Sequence, residues 1–345
     1  SLSDLHNPFL MKDMDKAVDR IEQALTNNEN ILVFGDYDVD GTSSVALMSS
    51  YLKTRTENAA TYIPDRYDEG YGVSYKGIDF AQDNDFTLII ALDCGVKAID
   101  KVTYAKAKEI DFIICDHHRP GDELPEAAAI LNPKQSDCNY PYDELCGCGI
   151  GFKLAQAFSD KNDFPAEELE EYLDLVAIAI AADIVSMDGE NRVLCAFGLS
   201  RLNKNPRTGI RPYVEEKKSP FNVTDMVFKI GPRINAAGRI KSGNAAVKLL
   251  TSADETSALA MSKEINEYNL ERRELDQAIT AEALAMIEAN PELQSRKTTV
   301  LYSPTWHKGV IGIVASRLME TYYRPTVILT KSGDHLAGSA RSVRD

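Results

Sequence analysis

Residues 31–41 read ILVFGDYDVDG, and this stretch decides how the first part of the chain is interpreted. Four apolar residues of strand length lead into a glycine, and aspartates then occupy every second position as Asp36, Asp38 and Asp40. The closing Gly41 lets the chain turn, so we expect Asp38 and Asp40 to face the same side. The pattern predicts a buried strand whose carboxyl end carries a cluster of negative charge.

Strand-length apolar runs alternate with helical periodicity from the N-terminus to position 133. The spacing predicts helices over 13–27, 41–55 and 98–110. The predicted strands cover 31–34, 59–64, 87–95, 111–118 and 127–133. Strands that are apolar almost throughout and alternate with helices indicate a parallel sheet with helices on both faces. The predicted fold class is therefore α/β.

Polar groups follow three of these apolar runs. Asp36, Asp38 and Asp40 follow the first, Asp93 follows TLIIAL, and Asp116, His117 and His118 follow FIIC. Ligands of such sheets bind beyond the carboxyl ends of the strands, so we expect these groups to converge. A single strand-end aspartate is usually a helix cap. Several carboxylates at close range repel each other unless cations or protons intervene, which favours a metal site.

The histidine pair and a later aspartate extend this set. Carboxylate oxygens suit Mg²⁺ or Mn²⁺, and an added imidazole shifts the preference toward Mn²⁺. Adjacent histidines offer one imidazole for a metal and another for substrate or proton transfer. Asp183 lies within or at the end of an apolar helix, where it either caps its own segment or completes the metal shell.

The second half of the chain predicts a helical region and then another α/β unit. Residues 149–204 are helical in pattern, 205–220 are rich in turn residues and predict a loop, and 253–289 form a long charged helix. A strand, a helix and two strands follow at 298–303, 309–323, 325–332 and 335–341. We expect the long helix to join two domains.

Composition narrows the class of protein. The chain has 345 residues, 44% of them hydrophobic, and a net charge of −15, which argues against a large basic surface. The six scattered cysteines suit a reduced compartment, and Cys138, Cys146 and Cys148 lack the spacing of a zinc site. No apolar run could span a membrane and no secretory signal opens the chain, so we expect a cytoplasmic protein. Since the chain starts without Met, we also expect a piece of a longer protein.

Seven motifs in order carry a family resemblance. GDYDVDG, LDCG, CDHH and AADIV resemble the first four motifs of the DHH phosphoesterase superfamily. GPRINAAGRI (231–240), HKGVIGIVASRL (307–318) and GSARSV (338–343) resemble the RecJ branch with its DHHA1 domain. The resemblance implies a DHH catalytic domain over 1–252, a connecting helix over 253–290, and the N-terminal part of DHHA1 over 291–345.

The resemblance also implies an activity and a set of functional residues. The activity is hydrolysis of single-stranded DNA from the 5′ end to 5′-mononucleotides with two divalent cations, Mn²⁺ or Mg²⁺, in DNA repair and recombination. Asp36 and His118 are the implied catalytic residues, with His118 on the scissile phosphate. Two ions can share a bridging carboxylate, and Asp93 is the candidate. The residues that match the family's metal ligands are Asp38, Asp40, Asp93, His117 and Asp183.

Substrate binding is expected from residues outside this cluster. Arg233, Asn235 and Arg239 offer groups that suit phosphate oxygens, although the arginines could instead pair with the acidic surface. His307 precedes a glycine-led helix, where it could bind phosphate or simply cap the helix. The resemblance adds Ser339 and Arg341, which match the last motif.

Two other interpretations stay open. The acidic charge and short C-terminal part would suit a phosphodiesterase for oligonucleotides or cyclic dinucleotides within the same superfamily. The chain could also be a non-catalytic DNA-binding scaffold. Such a protein would lack some of the aspartates that match metal ligands, whereas each of these positions is filled here. The implied partner is single-stranded DNA, with a single-strand-binding protein or a helicase as further candidates and no membrane.

Overall fold

The computed structural model describes residues 2–343 as two compact units. The first unit contains residues 2–238 together with Ser242–Ile265, and the second contains Arg239–Lys241 together with residues 266–343. The predicted domains over 1–252 and 291–345 reach residues 1, 344 and 345, which lie outside the described residues. These domain limits stay a prediction, because compactness alone does not define a catalytic or a substrate-binding domain.

The first unit is built around a five-stranded parallel sheet. Its strands are β1 (Asn30–Gly35), β2 (Ala59–Tyr62), β3 (Phe86–Leu92), β4 (Asp111–Cys115) and β5 (Ala129–Leu131). They lie in the order β2-β1-β3-β4-β5, and every neighbouring pair is parallel. The predicted α/β fold class is confirmed, and all five strands coincide with apolar runs of the sequence.

The helices that precede the long charged helix are short to medium in length. They are α1 (Met14–Thr26), α2 (Val39–Lys53), α3 (Tyr75–Asp83), α4 (Ile99–Lys106), α5 (Gly147–Lys161), α6 (Glu167–Glu170), α7 (Leu173–Ala182), α8 (Gly189–Lys204), α9 (Arg211–Glu215), α10 (Val223–Asp225), α11 (Gly231–Ile240) and α12 (Gly243–Leu250). Two 3₁₀ turns, Leu2–Asp4 and Pro8–Leu10, precede α1, and a π-helical turn, Met226–Ile230, lies between α10 and α11.

The expected loop over 205–220 is wrong in part, because it contains α9. Pro212 stands in the first turn of this helix, where its missing N–H costs no hydrogen bond. Tyr213 is fully buried, so tertiary packing stabilises this helix. The turn-rich composition of the segment does not indicate it.

Helices cover both faces of the sheet. On one face Phe34, Ile89 and Ile114 pack with Ile78 of α3 and Val102 of α4. The alternate strand residues point to the other face, and α1, α2 and α5 also contact the sheet. This double cover explains why β1, β3 and β4 are apolar at almost every position.

The second unit is a smaller α/β arrangement. Its elements are most of α13 (Glu255–Glu288), α14 (Pro291–Ser295), β6 (Thr299–Tyr302), α15 (Ile311–Tyr322), β7 (Thr326–Ser332) and β8 (His335–Arg341). The sheet order is β6-β7-β8, with β6 parallel and β8 antiparallel to β7. Ala283 of α13, Trp306, Leu318 of α15 and Ile328 of β7 belong to one apolar core. The predicted long helix and the second α/β unit are both confirmed.

Within residues 2–343, no helix is both long and apolar enough to cross a lipid bilayer.

Candidate metal centre

Three neighbouring strands of the first unit end side by side, and each is followed by acidic or imidazole groups. The strand register pairs Gly35 of β1 with Leu92 of β3, and Leu92 with Cys115 of β4. Asp36, Asp93 and Asp116 come directly after these paired residues. The parallel topology therefore places the strand-end groups at one edge of the sheet.

His117 lies at the middle of the carboxylate cluster. Its Nε2 is 3.2 Å from Asp93 Oδ1, 3.5 Å from Asp183 Oδ2 and 3.8 Å from Asp40 Oδ2. Burial lowers the pKa of His117 even though Asp183 acts in the opposite direction. A neutral imidazole among three carboxylates has the protonation state that a metal ligand requires.

Asp40 is held by the start of α5. Its carboxylate oxygens accept hydrogen bonds from the backbone N–H groups of Gly147 and Cys148, each at 2.7 Å. Those groups belong to the first turn of a helix, where N–H groups otherwise lack partners. Burial, with the charges of Asp183 and Asp38, raises the pKa of Asp40 to about 8. The helix terminus thus fixes the position of a carboxylate that its neighbours repel.

Asp93 occupies an unusual backbone conformation beside the same helix. Its φ of 59° is left-handed, a conformation that Asp and Asn tolerate better than most residues. A Cβ atom at Gly147 would lie only 2.6 Å from Cβ of Asp93, so position 147 requires glycine. Burial and the charge of Asp40 raise the pKa of Asp93 well above its ordinary value. Close packing therefore forces this carboxylate against other negative charges.

The connection from β1 to α2 differs from the turn that we expect at Gly41. The helix already begins at Val39, so Gly41 lies inside its first turn. A Cβ atom at Gly41 would lie 2.4 Å from the carbonyl oxygen of Asp36, which shows that close packing requires glycine here. Asp38 caps α2, because its Oδ1 accepts a hydrogen bond of 2.9 Å from Gly41 N. Burial and the charge of Asp38 raise the pKa of Asp36 to about 8.

His118 lies beside the cluster and is held by two side chains. The buried Asp116 accepts hydrogen bonds from His118 N at 3.0 Å and from Val96 N at 2.9 Å, and lies 2.7 Å from His118 Nδ1. Tyr71 Oη is 3.2 Å from His118 Nε2. The hydrogen bond with Asp116 raises the pKa of His118. The orienting role of Asp116 goes beyond our sequence prediction, although its place in CDHH is a visible signal.

Two sets of side chains within residues 2–343 have spacings that suit a metal ion. One set is Asp93, His117 and His118, and the other is Asp40, His117 and Asp183. Asp93 Oδ1 and Asp183 Oδ2 are buried and make no hydrogen bond to any described residue. Buried acceptors without donors are costly, so a divalent cation fits this donor set. Asp36 and Asp38 lie outside both sets.

Asp183 ends α7 and also lies next to His117. It stands just after α7, as the C-cap residue, and its backbone N–H bonds to the carbonyl of Ala179 at 2.9 Å. Its side chain turns toward His117, as the distance between them shows. The residue therefore ends its helix through the backbone and joins the carboxylate cluster through the side chain.

Two of the expected phosphate-binding residues lie on α11 in the first unit. Arg233 forms an ion pair of 2.8 Å with Glu216, and its guanidinium lies over the ring of Tyr213. Asn235 is half-buried on the same helix. An ion pair with an acidic residue is what we expect if Arg233 has a structural role instead of binding phosphate.

The other expected phosphate-binding residues belong to the second unit and form two small groups. Arg239 donates to the carbonyl of Gly309 at 3.1 Å, and His307 Nδ1 accepts a hydrogen bond of 3.2 Å from Gly309 N. Arg341 donates to Ser339 Oγ at 3.0 Å. The second unit thus gathers hydroxyl and guanidinium groups, and the carboxylates of the cluster are all in the first unit.

The sequence is similar to those of known proteins. Residues 30–180 match the DHH family, N-terminal domain. The chain is 39% identical to single-stranded-DNA-specific exonuclease RecJ of Bacillus subtilis (strain 168), over 99% of this chain and 43% of that protein. It is 35% identical to single-stranded-DNA-specific exonuclease RecJ of Escherichia coli (strain K12), over 97% of this chain and 61% of that protein. The chain therefore spans about half the length of the curated relatives that it matches.

Solved structures agree with this similarity. A crystal structure of exonuclease RecJ bound to manganese is similar with a TM-score of 0.87 and 31% identity, over 97% of this chain and 83% of that chain. A crystal structure of RecJ from Thermus thermophilus in complex with Mn²⁺ gives a TM-score of 0.84 and 28% identity, over 96% of this chain and 48% of that chain. Both matches extend over nearly the whole sequence.

Proposed function

The chain belongs to the RecJ family of DHH proteins, and from this premise we propose that it is a metal-dependent exonuclease for single-stranded DNA. The proposed reaction hydrolyses phosphodiester bonds from the 5′ end and releases 5′-mononucleotides. The observation that carries the proposal is the position of His117 Nε2 within 3.8 Å of three carboxylates at the sheet edge. This donor set suits the Mn²⁺ seen in the two structural relatives.

The metal ions would be two divalent cations, Mn²⁺ or Mg²⁺. Asp40, Asp93, His117 and Asp183 would hold them, with Asp38 as the fifth proposed ligand. Such ions supply Lewis acidity and lower the pKa of water. The buried acceptors Asp93 Oδ1 and Asp183 Oδ2 support this assignment, since neither bonds to a described donor. For Asp38 the support is weaker, because the residue also caps α2.

The side chains around the metal ligands would handle the phosphate and the proton. Asp116 orients the ring of His118 and favours its charged form. His118 Nε2 would then exchange its contact with Tyr71 Oη for a hydrogen bond that it donates to a phosphate oxygen. Burial and the charge of Asp38 raise the pKa of the Asp36 carboxyl, so this group can hold a proton beside the proposed metal ligands. We assign proton transfer to a carboxylate oxygen of Asp36 and phosphate orientation to His118.

We also assign phosphate binding to groups of the second unit. Arg341 and Ser339 lie within hydrogen-bond distance of each other, so both can contact one anion. Arg239 and His307 form a similar pair through Gly309, and we assign them the same task.

Two residues of the first unit are proposed as further contacts to phosphate. Asn235 is half-buried on α11 and offers an amide group. Arg233 lies on the same helix, although its ion pair with Glu216 favours a structural role.

The wider biological context is part of the same proposal. Single-stranded DNA is the proposed partner, with a single-strand-binding protein or a helicase as further partners in repair and recombination. The cytoplasm is the proposed location. We also propose that residues 1–252 form the catalytic domain, 253–290 the connecting helix and 291–345 the beginning of the substrate-binding domain.

Product analysis tests the proposed reaction. The purified chain is incubated with Mn²⁺ and a single-stranded oligonucleotide labelled at the 5′ or the 3′ end, beside the matching duplex, a dinucleotide and a cyclic dinucleotide. We expect mononucleotides to leave stepwise from the 5′ end of the single strand, and EDTA to abolish the reaction. Cleavage of the small substrates alone would contradict the exonuclease assignment and favour a small-substrate phosphodiesterase.

A further inference from the structure

A cavity of about 330 Å³ opens beside the metal centre within the first unit. It is lined by the segment 71–73, the loop 94–98, Lys101, Asp116 and His118. The volume lies near the lower end of the range of about 300–1,000 Å³ that small-molecule sites occupy. The cavity is therefore large enough for a compact ligand and shares His118 with the candidate metal centre.

The interior of the cavity is largely apolar. Val73, Cys94 and Val96 line it and are almost completely buried, with exposed fractions of 6%, 2% and 1%. Tyr71 also lines it and exposes 54% of its surface, so the aromatic ring is accessible. An apolar floor beside an accessible aromatic ring suits a flat ring system such as a nucleobase.

Two lysines of the lining, Lys97 and Lys101, reach solvent and carry positive charge in an acidic protein, and we call this part of the lining the rim. Neither lysine forms an ion pair with a carboxylate in residues 2–343. Lys101 Nζ instead lies 5.7 Å from the ring centre of Tyr75. Other lysines of the same region do pair, as Lys106 does with Glu126 at 2.7 Å. Two ammonium groups at the rim can therefore contact the phosphates of a nucleotide strand.

We propose that this cavity binds a nucleoside of the DNA strand. This nucleoside carries, on its 5′ oxygen, the phosphate that His118 contacts. The base would lie against Tyr71 and Val96, and Lys97 and Lys101 would contact the next phosphate along the strand. Because the walls offer apolar contact rather than a fixed pattern of donors and acceptors, the cavity would accept all four bases. This inference rests on the proposed function and assigns it a base-binding subsite.

A binding experiment tests the subsite without relying on hydrolysis. Thymidine 5′-monophosphate and 2-deoxyribose 5-phosphate are titrated into the Mg²⁺-loaded protein by calorimetry, and saturation-transfer NMR follows the thymine methyl and H6 protons. We expect thymidine 5′-monophosphate to bind about tenfold more tightly, with strong transfer to both base protons. Equal affinity of the two ligands, or no transfer to the base, would overturn the proposal.

A cavity-filling variant locates the bound base. Ala98 lines the cavity at the start of α4, and the exposed Ala107 follows the other end of the same helix. We expect Ala98→Phe to weaken binding of thymidine 5′-monophosphate about tenfold and to remove transfer to the base protons. Ala107→Phe should leave both unchanged. Unchanged binding in a folded Ala98→Phe protein would also overturn the proposal.

Charge reversal at the rim gives a second test. We expect Lys97→Glu with Lys101→Glu to weaken binding of the dinucleotide pTpT several-fold and to reduce the dependence of its affinity on salt. Lys106→Glu, in the same helix as Lys101, is the matched control. If the Lys97→Glu, Lys101→Glu double variant bound pTpT as tightly as the Lys106→Glu control, the proposed role of the two lysines would be contradicted. The proposed function is tested separately. It would be contradicted, and the subsite kept, if the wild-type chain bound the mononucleotide at this subsite but did not cleave single-stranded DNA.

Discussion

The edge of the first-unit sheet and the Ser339–Arg341 region of the second unit differ in how well their polar groups are satisfied. At the sheet edge, Asp93 Oδ1 and Asp183 Oδ2 are buried without a hydrogen bond to any described residue. In the second unit, Arg341 is exposed and donates to Ser339, Ser316 and the carbonyl of Ala340. A cation or bound protons would stabilise the first arrangement, whereas the second satisfies its own polar groups and can exchange these contacts for a phosphate.

Loss of charge at Asp93 should have the largest effect on activity. We expect Asp93→Asn to lower kcat on single-stranded DNA by about 1,000-fold or more, because the carboxylate that we propose as a metal ligand becomes a neutral amide. Asn tolerates the left-handed backbone at this position, so the fold should persist. Rate measurements with circular dichroism check both statements. Asp100→Asn, on the exposed side of α4, is the control. If the activity of Asp93→Asn stayed within tenfold of wild type, the assignment of Asp93 as a metal ligand would be contradicted.

The second-largest effect should follow from loss of the carboxylate that orients His118. We expect Asp116→Asn to lower kcat about 10- to 100-fold with little change in KM, because the buried acceptor that holds the imidazole is weakened. Steady-state kinetics at fixed Mn²⁺ measure this, and the metal content should stay at the wild-type value. Asp122→Asn, exposed in the following loop, should behave as wild type. A rise in KM with unchanged kcat would point to substrate binding instead.

A smaller effect is expected from the second unit. We expect Arg341→Ala to raise KM for single-stranded DNA about tenfold with a modest change in kcat, since the proposed charge-assisted contact to phosphate is lost. Steady-state kinetics over a range of DNA concentrations separate the two constants. Arg296→Ala, which removes an exposed arginine paired with Glu292, is the matched control. If Arg341→Ala lowered kcat as strongly as Asp93→Asn, the contrast between the two regions would be wrong.

The smallest effect concerns stability rather than activity. Hydrogen bonds from Lys217, Asn222 N and Lys229 lower the pKa of Asp225 to about 2 although burial opposes them. An aspartate whose folded-state pKa is depressed adds stability above about pH 4, and this stability is lost as the pH falls toward 2. Thermal melts should therefore show that Asp225→Asn lowers Tm at pH 6 and loses that difference near pH 2. A difference that stays constant with pH would contradict the ionic origin.

The sheet and the approach of its strand-end groups can be predicted from sequence because both depend on local patterns. The apolar runs determine the strands, and parallel pairing then brings Asp36, Asp93 and His117 to one edge. The turn expected at Gly41 is wrong, since a glycine needed for close packing looks the same in sequence as one needed for a turn. Local spacing alone does not separate these two requirements.

Long-range contacts explain what the sequence does not predict. Asp40 receives its hydrogen bonds from Gly147 and Cys148, far away along the chain, so its anchoring is set by tertiary packing. The cavity beside His118 joins the segment 71–73 to the loop 94–98, and single elements of the sequence do not show it. The ion pair of Arg233 with Glu216 likewise depends on tertiary structure, because the two residues lie on different segments.

The central claim is that the sheet edge of the first unit binds divalent cations, and the Mn²⁺ content of the chain tests it most directly. The apoprotein is dialysed against Mn²⁺, and the bound metal is measured by atomic spectroscopy for wild type, Asp93→Asn and Asp100→Asn. We predict about two ions per chain for wild type and Asp100→Asn, with a clear loss in Asp93→Asn. No bound Mn²⁺ in the folded wild-type protein, or equal binding by all three, would contradict the account.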